Sequence, residues 1–162
     1  MSCIRPKHLL ENKGSAIHAI APDASVLDAI KLMAEKHVGA LLVMRGATLV
    51  GIVSERDYAR KVVLMGRSSR DTAVLDIMSA PVITVNPQAT VPECMQTVTE
   101  HRVRHLPVVD GERVIGVLSI GDLVKSVIDE QQQHIDQLQR YIAGEAWWWR
   151  ARPQCLDSAN SP

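Results

Sequence analysis

Apolar positions along this chain change period repeatedly, and each change marks an element. Pro6-Lys7-His8-Leu9-Leu10 predicts a helical turn or two, closed by Gly14. Ala16 to Ile20 reads as a short strand. Val26, Ala29, Ile30 and Met33 then recur at i, i+3, i+4 and i+7, which predicts one buried helix face, with Ser25 and Asp28 as a capping box at its start. Gly39 to Met44 is a nearly continuous apolar run, short enough for a buried strand. Arg45-Gly46 turns the chain into a second strand, Thr48 to Val53, and Glu55 to Met65 predicts a helix ended by Gly66. Residues 66–73 read as an exposed linker, and Val74 to Met78 as a helical turn stopped by Pro81.

The pattern then begins again. With a constant offset of 65 and no gap, residues 16–62 lie over 81–127. Ser25 meets Thr90 and Asp28 meets Glu93; Val26, Ala29, Ile30 and Met33 meet Val91, Cys94, Met95 and Val98. Gly51-Ile52-Val53-Ser54-Glu55-Arg56-Asp57 meets Gly116-Val117-Leu118-Ser119-Ile120-Gly121-Asp122. Agreement of turns, caps and buried positions in one register identifies an internal duplication. Each unit is strand–helix–strand–strand–helix, an α+β unit of a size that buries only a modest share of its own surface. Two copies packed sheet to sheet about a pseudo-twofold axis resolve that shortage and predict a cleft at the axis. The expected organisation is a lead-in at 1–15, a first motif at 16–65, a linker at 66–80 and a second motif at 81–130. The last helix extends over 131–143, and 144–162 form an irregular tail. In that helix Val124, Ile128, Ile135, Leu138 and Ile142 fall on alternating three- and four-residue steps, with Gln131 at the remaining seam position, a stripe suited to another helix.

Composition narrows the function. Eighteen basic and eighteen acidic residues leave no net charge, so nothing global points to nucleic acid or an anionic membrane. No apolar stretch approaches the roughly 20 residues that span a bilayer, and Met1 to Lys7 lacks the apolar core of a signal peptide. Cys3, Cys94 and Cys155 are an odd number without metal-like spacing, so the expectation is free thiols in a reducing cytoplasm. The histidines show no zinc pattern, no phosphate-binding glycine motif is present, and no Ser or Cys has an evident base partner.

Two readings compete for the repeated Ser–Asp pairs, Ser54 with Asp57 and Ser119 with Asp122. As capping boxes they stabilise a helix start by on the order of 1 kcal/mol. As a ligand site, a strand running into a helix N-terminus offers free N–H groups to an anion, and an Asp in the first turn can hold the hydroxyls of a ribose. His101-Arg102-Val103-Arg104-His105 is either solvated charge at a strand entrance or a phosphate clamp. In extended backbone its alternation puts Arg102, Arg104 and Leu106 on one face, with Val103 and His105 on the other. Lys13-Gly14-Ser15 is a lead-in loop that could add an ammonium near an anion.

The doubled Gly-h-h-Ser-x-x-Asp motif, with Leu106-Pro107-Val108-Val109-Asp110-Gly111, resembles the cystathionine-β-synthase (CBS) domain over roughly residues 6–130. The resemblance is to the small stand-alone bacterial proteins that carry one tandem pair. It implies a non-catalytic regulatory module for AMP, ADP or ATP, requiring no cofactor or metal, with S-adenosylmethionine or a dinucleotide as the ligand of some members. It implies ribose binding by Asp57 and Asp122, and phosphate binding by Ser54, Ser119, Arg104 and His105, with Arg56 and Lys13 as further expected phosphate-binding residues. It implies adenine contacts from Ser15, Ala16, Ile17 and His18 for the Asp122 site, and from Ser79, Pro81, Val82 and Thr84 for the Asp57 site. Because Gly39-Ala40 replaces the basic pair in the first motif, Asp122 is the expected better site. A homodimer, an unidentified regulated protein, and no nucleic acid or membrane partner complete the expectation. The rival readings are an assembly module whose Ser–Asp pairs only cap helices, and an enzyme with an unrecognised site.

Overall fold

The structure is a computed structural model that describes residues 4–14 and 16–150; of 144–150 only the helical backbone is described. It is a mixed α+β fold with two sheets and a long C-terminal helix. The elements are α1 (Pro6–Lys13), β1 (Ala19–Ile20), α2 (Val26–Lys36), β2 (Ala40–Arg45), β3 (Thr48–Ser54), α3 (Glu55–Tyr58), α4 (Val74–Ile77), α5 (Val91–His101), β4 (His105–Asp110), β5 (Arg113–Ser119) and α6 (Ile120–Arg150). The first sheet has the order β1-β2-β3, with β1 parallel and β3 antiparallel to β2; the second is the antiparallel pair β4-β5.

The duplication reappears as matching backbone geometry. His37 and Arg102 end α2 and α5 in the left-handed conformation, at φ 54° and 53°. Gly46 and Gly111 turn their hairpins at φ 62° and 64°, where a side chain would be strained. Each hairpin slips register at the equivalent place, between Val43 and Met44 and between Val108 and Val109. Ser54, Thr90 and Ser119 each open a helix with a reciprocal box, accepting from the N–H of Asp57, Glu93 and Asp122 while those carboxylates accept the cap N–H. At α2 only half of the expected box forms: Ser25 accepts from the Asp28 N–H at 3.1 Å.

Four expectations change. The strand expected over 16–20 shortens to Ala19–Ile20, and its counterpart after Pro81 reduces to one parallel bridge, Val85 to Val108. The reason lies in the partner strand. Leu42 donates its N–H to the His18 carbonyl at 3.0 Å, whereas the equivalent residue, Pro107, has no N–H to give. The helix from Glu55 becomes one α-turn followed by π-helical turns over Ala59–Val63 before Gly66. The linker is exposed over most of 66–71, as expected of 66–70, but its end is built in: Thr72 is buried, its hydroxyl donates to the Ser68 carbonyl at 2.7 Å, and its own carbonyl accepts the Val26 N–H at 2.9 Å. Finally, α6 does not stop at Gly144 but runs to Arg150. A helix-interior glycine costs only about 1 kcal/mol, and Glu145 and Ala146 beyond it are good helix formers. The rest of the predicted tail, 151–162, lies outside the described residues.

The core of the first motif joins Val26, Ala29 and Met33 of α2 with Leu41 and Val43 of β2 and Val53 of β3. Val62, Val74 and Ile77 complete it, so the segment between the motifs closes the first one. In the second motif Val91, Cys94, Val98, Leu106, Val108 and Leu118 are buried at the equivalent places, and Leu123 is buried where the first motif has the partly buried Tyr58. Each lead-in serves the opposite motif. Leu10 of α1 lies over Gly116 of β5, and Met78, just after α4, lies over Gly51 of β3; a Cβ at either glycine would collide with the side chain above it. Ser79 and Ile52 exchange backbone hydrogen bonds of 2.8 and 3.1 Å. From Val124 onward α6 belongs to a second compact unit, described by itself. On it Val124, Ile128, Ile135, Leu138 and Ile142 are exposed.

Candidate functional site

The crossed lead-ins decide what each repeated Asp meets. At Asp57 one carboxylate oxygen is committed to capping: Oδ2 accepts from the Ser54 N–H at 3.0 Å and the Ser54 hydroxyl at 2.9 Å. The other, Oδ1, lies 3.3 Å from both the Ser79 hydroxyl and Lys61 Nζ. Lys61 Nζ also donates to the Ile77 carbonyl at 2.8 Å, so this ammonium is held in place by two elements. At Asp122 the same cap forms, with Ser119 N–H and hydroxyl at 2.7 and 2.8 Å from Oδ2. Here Lys13 of α1 adds an ion pair to the same oxygen at 2.6 Å. Lys13, expected beside a phosphate, is thus engaged with the carboxylate.

Both readings of the Ser–Asp pair therefore meet in one side chain. The capping reading is satisfied at Oδ2 of each Asp. The ligand reading requires an open space beside the carboxylate, and a cavity of about 640 Å³ opens beside Asp57. Its walls are Ser54, Glu55, Arg56, Asp57, Arg60 and Lys61 from the first motif, Ser79, Pro81, Val82 and Ile83 from the segment after α4, and residues 101–105 from the second motif, with Gly39 and Ile52. The volume lies within the range of small-molecule pockets.

The basic pair expected at Asp122 borders the Asp57 cavity. Arg104 and His105 line the cavity that holds Asp57, because the α5–β4 junction faces the first motif. Gly39 borders the cavity, and a Cβ there would make only an ordinary contact, 3.6 Å from His105 Nε2. The predicted alternation also fails, since Arg102 is a left-handed cap rather than extended backbone, and Arg102 to His105 all reach the cavity while Leu106 is buried. Of the residues expected at the adenine, Ser79, Pro81 and Val82 line the cavity and Thr84 does not. Ala16, Ile17 and His18 were expected at the Asp122 site and not here; Ile17 lines a separate cavity of about 800 Å³ together with Gly14, Leu10 and Val114, and Ser15 lies outside the described residues. Arg60 and Lys61 were not predicted as site residues, whereas His101 and Arg102 belong to the basic run that the sequence offered as a phosphate clamp. Arg60 was within reach of sequence reasoning, four residues after Arg56 on the same helix face.

Two titrating groups report on this environment. Burial pushes the His105 imidazole below its ordinary pKa, helped by the nearby charges of Lys13 and Arg104 and opposed by Glu55 and Asp122. Burial works to raise Asp122, but the hydrogen bonds from Lys13 and Ser119 outweigh it, and its carboxyl is held below the ordinary value. Cys94, buried and free, has its thiol pushed up to about 11, chiefly by burial, which removes it as a nucleophile. Among the described residues there is no cluster of metal-ligating side chains and no helix long and apolar enough to cross a membrane.

Comparison with known proteins agrees with the doubled motif. The CBS domain family model matches twice, at residues 15–64 and 74–129. The chain belongs to the CBS-domain family. The CBS domain-containing protein CBSX3, mitochondrial, of Arabidopsis thaliana is 43% identical over 127 residues, covering 75% of this chain; the chain spans 62% of that relative's length. The solved structure of a CBS-domain protein from Burkholderia ambifaria MC40-6 is 53% identical, covers 79% of this chain and 96% of its own, and superposes with a TM-score of 0.76. The structure of CBSX2 in complex with AMP is 29% identical, covers 71% of this chain and 90% of its own, and has a TM-score of 0.60. Tandem CBS domains are typically regulatory modules.

Proposed function

We propose that this CBS pair is a non-catalytic sensor of an adenine nucleotide, bound in the cavity beside Asp57. The observation that carries the reading is the convergence of three chain segments on that one space. Asp57 and Ser54 stand at a helix N-terminus suited to ribose hydroxyls and an anion. Ser79, Pro81, Val82 and Ile83 supply backbone and apolar surface for a base. Arg104 and His105 supply donors for phosphate. The AMP found in CBSX2 supports the ligand class. A ligand touching both motifs shifts their arrangement only by its difference in affinity for two arrangements, so the regulatory output is expected in whatever protein reads that difference.

Calorimetry with AMP, ADP and ATP tests the reading, with Asp57→Asn and Asp122→Asn as paired variants. The expected result is binding to the wild type and to Asp122→Asn, with a loss of about tenfold or more in Asp57→Asn, the scale of a lost charge-assisted hydrogen-bond pair. Unchanged binding in Asp57→Asn overturns it. Incubation with ATP and AMP is expected to show no turnover.

One observation favours a second reading, an assembly module. The exposed apolar stripe on α6 suits a partner helix, and self-association through it, as a homodimer in the simplest case, is compatible with either role.

A further inference from the structure

Charge is spread unevenly over the two halves of the duplication. The cavity beside Asp57 is lined by Arg56, Arg60, Lys61, Arg102 and Arg104 against only Glu55 and Asp57. Lys61 and Asp57 lie 3.3 Å apart and neutralise each other. Four guanidinium groups then remain against one carboxylate. None of the four side chains takes part in a hydrogen bond or ion pair among the described residues, and all four residues are exposed. At the equivalent positions around Asp122 the chain carries Gly121, Lys125, His37 and Gly39. Helix capping and fold are common to both halves, so they do not account for cations gathered at one of them.

We propose that the Asp57 cavity selects a ligand with two or more phosphates over a monophosphate. This deepens the adenine-nucleotide reading and rests on it for the nucleoside part. The argument is one of stoichiometry. A guanidinium binds phosphate best as a planar fork to two oxygens. A single terminal phosphate has three free oxygens and about two charges, enough for two such forks. Four guanidiniums, two from the helix after Ser54 and two from the α5–β4 junction, match a di- or triphosphate chain running between the motifs.

The test is calorimetry of the full chain at fixed ionic strength with AMP, ADP, ATP and inorganic tripolyphosphate, on wild type, Arg60→Gln, Arg102→Gln and Asp57→Asn. Thermal melts of each free protein check folding. The expected result is ATP tighter than AMP by about tenfold or more, with Arg60→Gln and Arg102→Gln each weakening ATP by about tenfold and AMP by less than about threefold. ATP binding should also fall more steeply with added salt than AMP binding. AMP binding as tightly as ATP, or arginine variants that weaken both equally, overturns the proposal and leaves the adenine reading standing. Tripolyphosphate binding with no preference for any nucleotide overturns the adenine reading and supports the polyphosphate site. Absence of binding by all four compounds overturns both.

Discussion

The pKa shifts at Asp122 and His105 both make stability rise with pH. Lys13, from the lead-in of the first motif, reaches Asp122 of the second and lowers its pKa. A carboxyl depressed in the folded state contributes stability above its unfolded value of 3.8, and loses that contribution as pH falls through the folded value. His105 is held below 6.5 in the folded protein, so the unfolded chain binds more protons in the window between the folded value and 6.5. Stability therefore also rises with pH across that window. Thermal melts between neutral pH and pH 3 should show a stability decrease in two stages, the first following the His105 titration seen by NMR. Lys13→Met should move both stages to higher pH, because Lys13 depresses the pKa of His105 as well as that of Asp122. The close approaches at Gly51 and Gly116 make a second prediction. Gly116→Ala sets a methyl against Leu10, and overpacking of this kind costs about 1–3 kcal/mol, measurable by urea unfolding.

At the level of elements, α4 is the least obvious structural part. Four residues of helix in a stretch that reads as a connector bury Val74 and Ile77 in the first motif's core. Ile77→Ala should destabilise the protein by about 2–5 kcal/mol in chemical unfolding, as for a core residue and unlike a linker residue. The elements also show how far periodicity reaches. Helix faces, caps and hairpin glycines depend on hydrogen bonds within a few residues, and they are legible from side-chain spacing; the αL end at Arg102 was not, since its run reads as extended backbone. The missing strand after Pro81 depends on a partner strand about 25 residues away, where Pro107 withholds a donor. Both halves of that fact stood in the sequence, but only the pairing connects them. The π-helical turns after Tyr58 had no signal in the spacing, and we have no physical account of them.

In the molecule as a whole, α6 supplies the feature that most invites association. Its exposed stripe of Val124, Ile128, Ile135, Leu138 and Ile142 carries Gln131 at one seam position, a polar residue of the kind that sets register in helix pairs. Light scattering should find the wild type self-associated, and Ile135→Glu with Leu138→Glu should return it to a monomer that still binds nucleotide. A monomeric wild type would remove the assembly reading.

The repeat itself needed no coordinates. An offset of 65 without gaps dictates two copies of one local geometry, because capping, turning and burial are decided by neighbours in the chain. The spacing also named both Ser–Asp pairs and the basic run before β4. It could not say which Asp those arginines face. That was decided by the crossing of the two lead-ins and by the placing of the α5–β4 junction against the first motif, contacts between residues far apart in sequence. A duplicated sequence makes the two Asp residues equivalent in everything local. Only tertiary packing gives Lys13 to Asp122 and an open, arginine-lined cavity to Asp57.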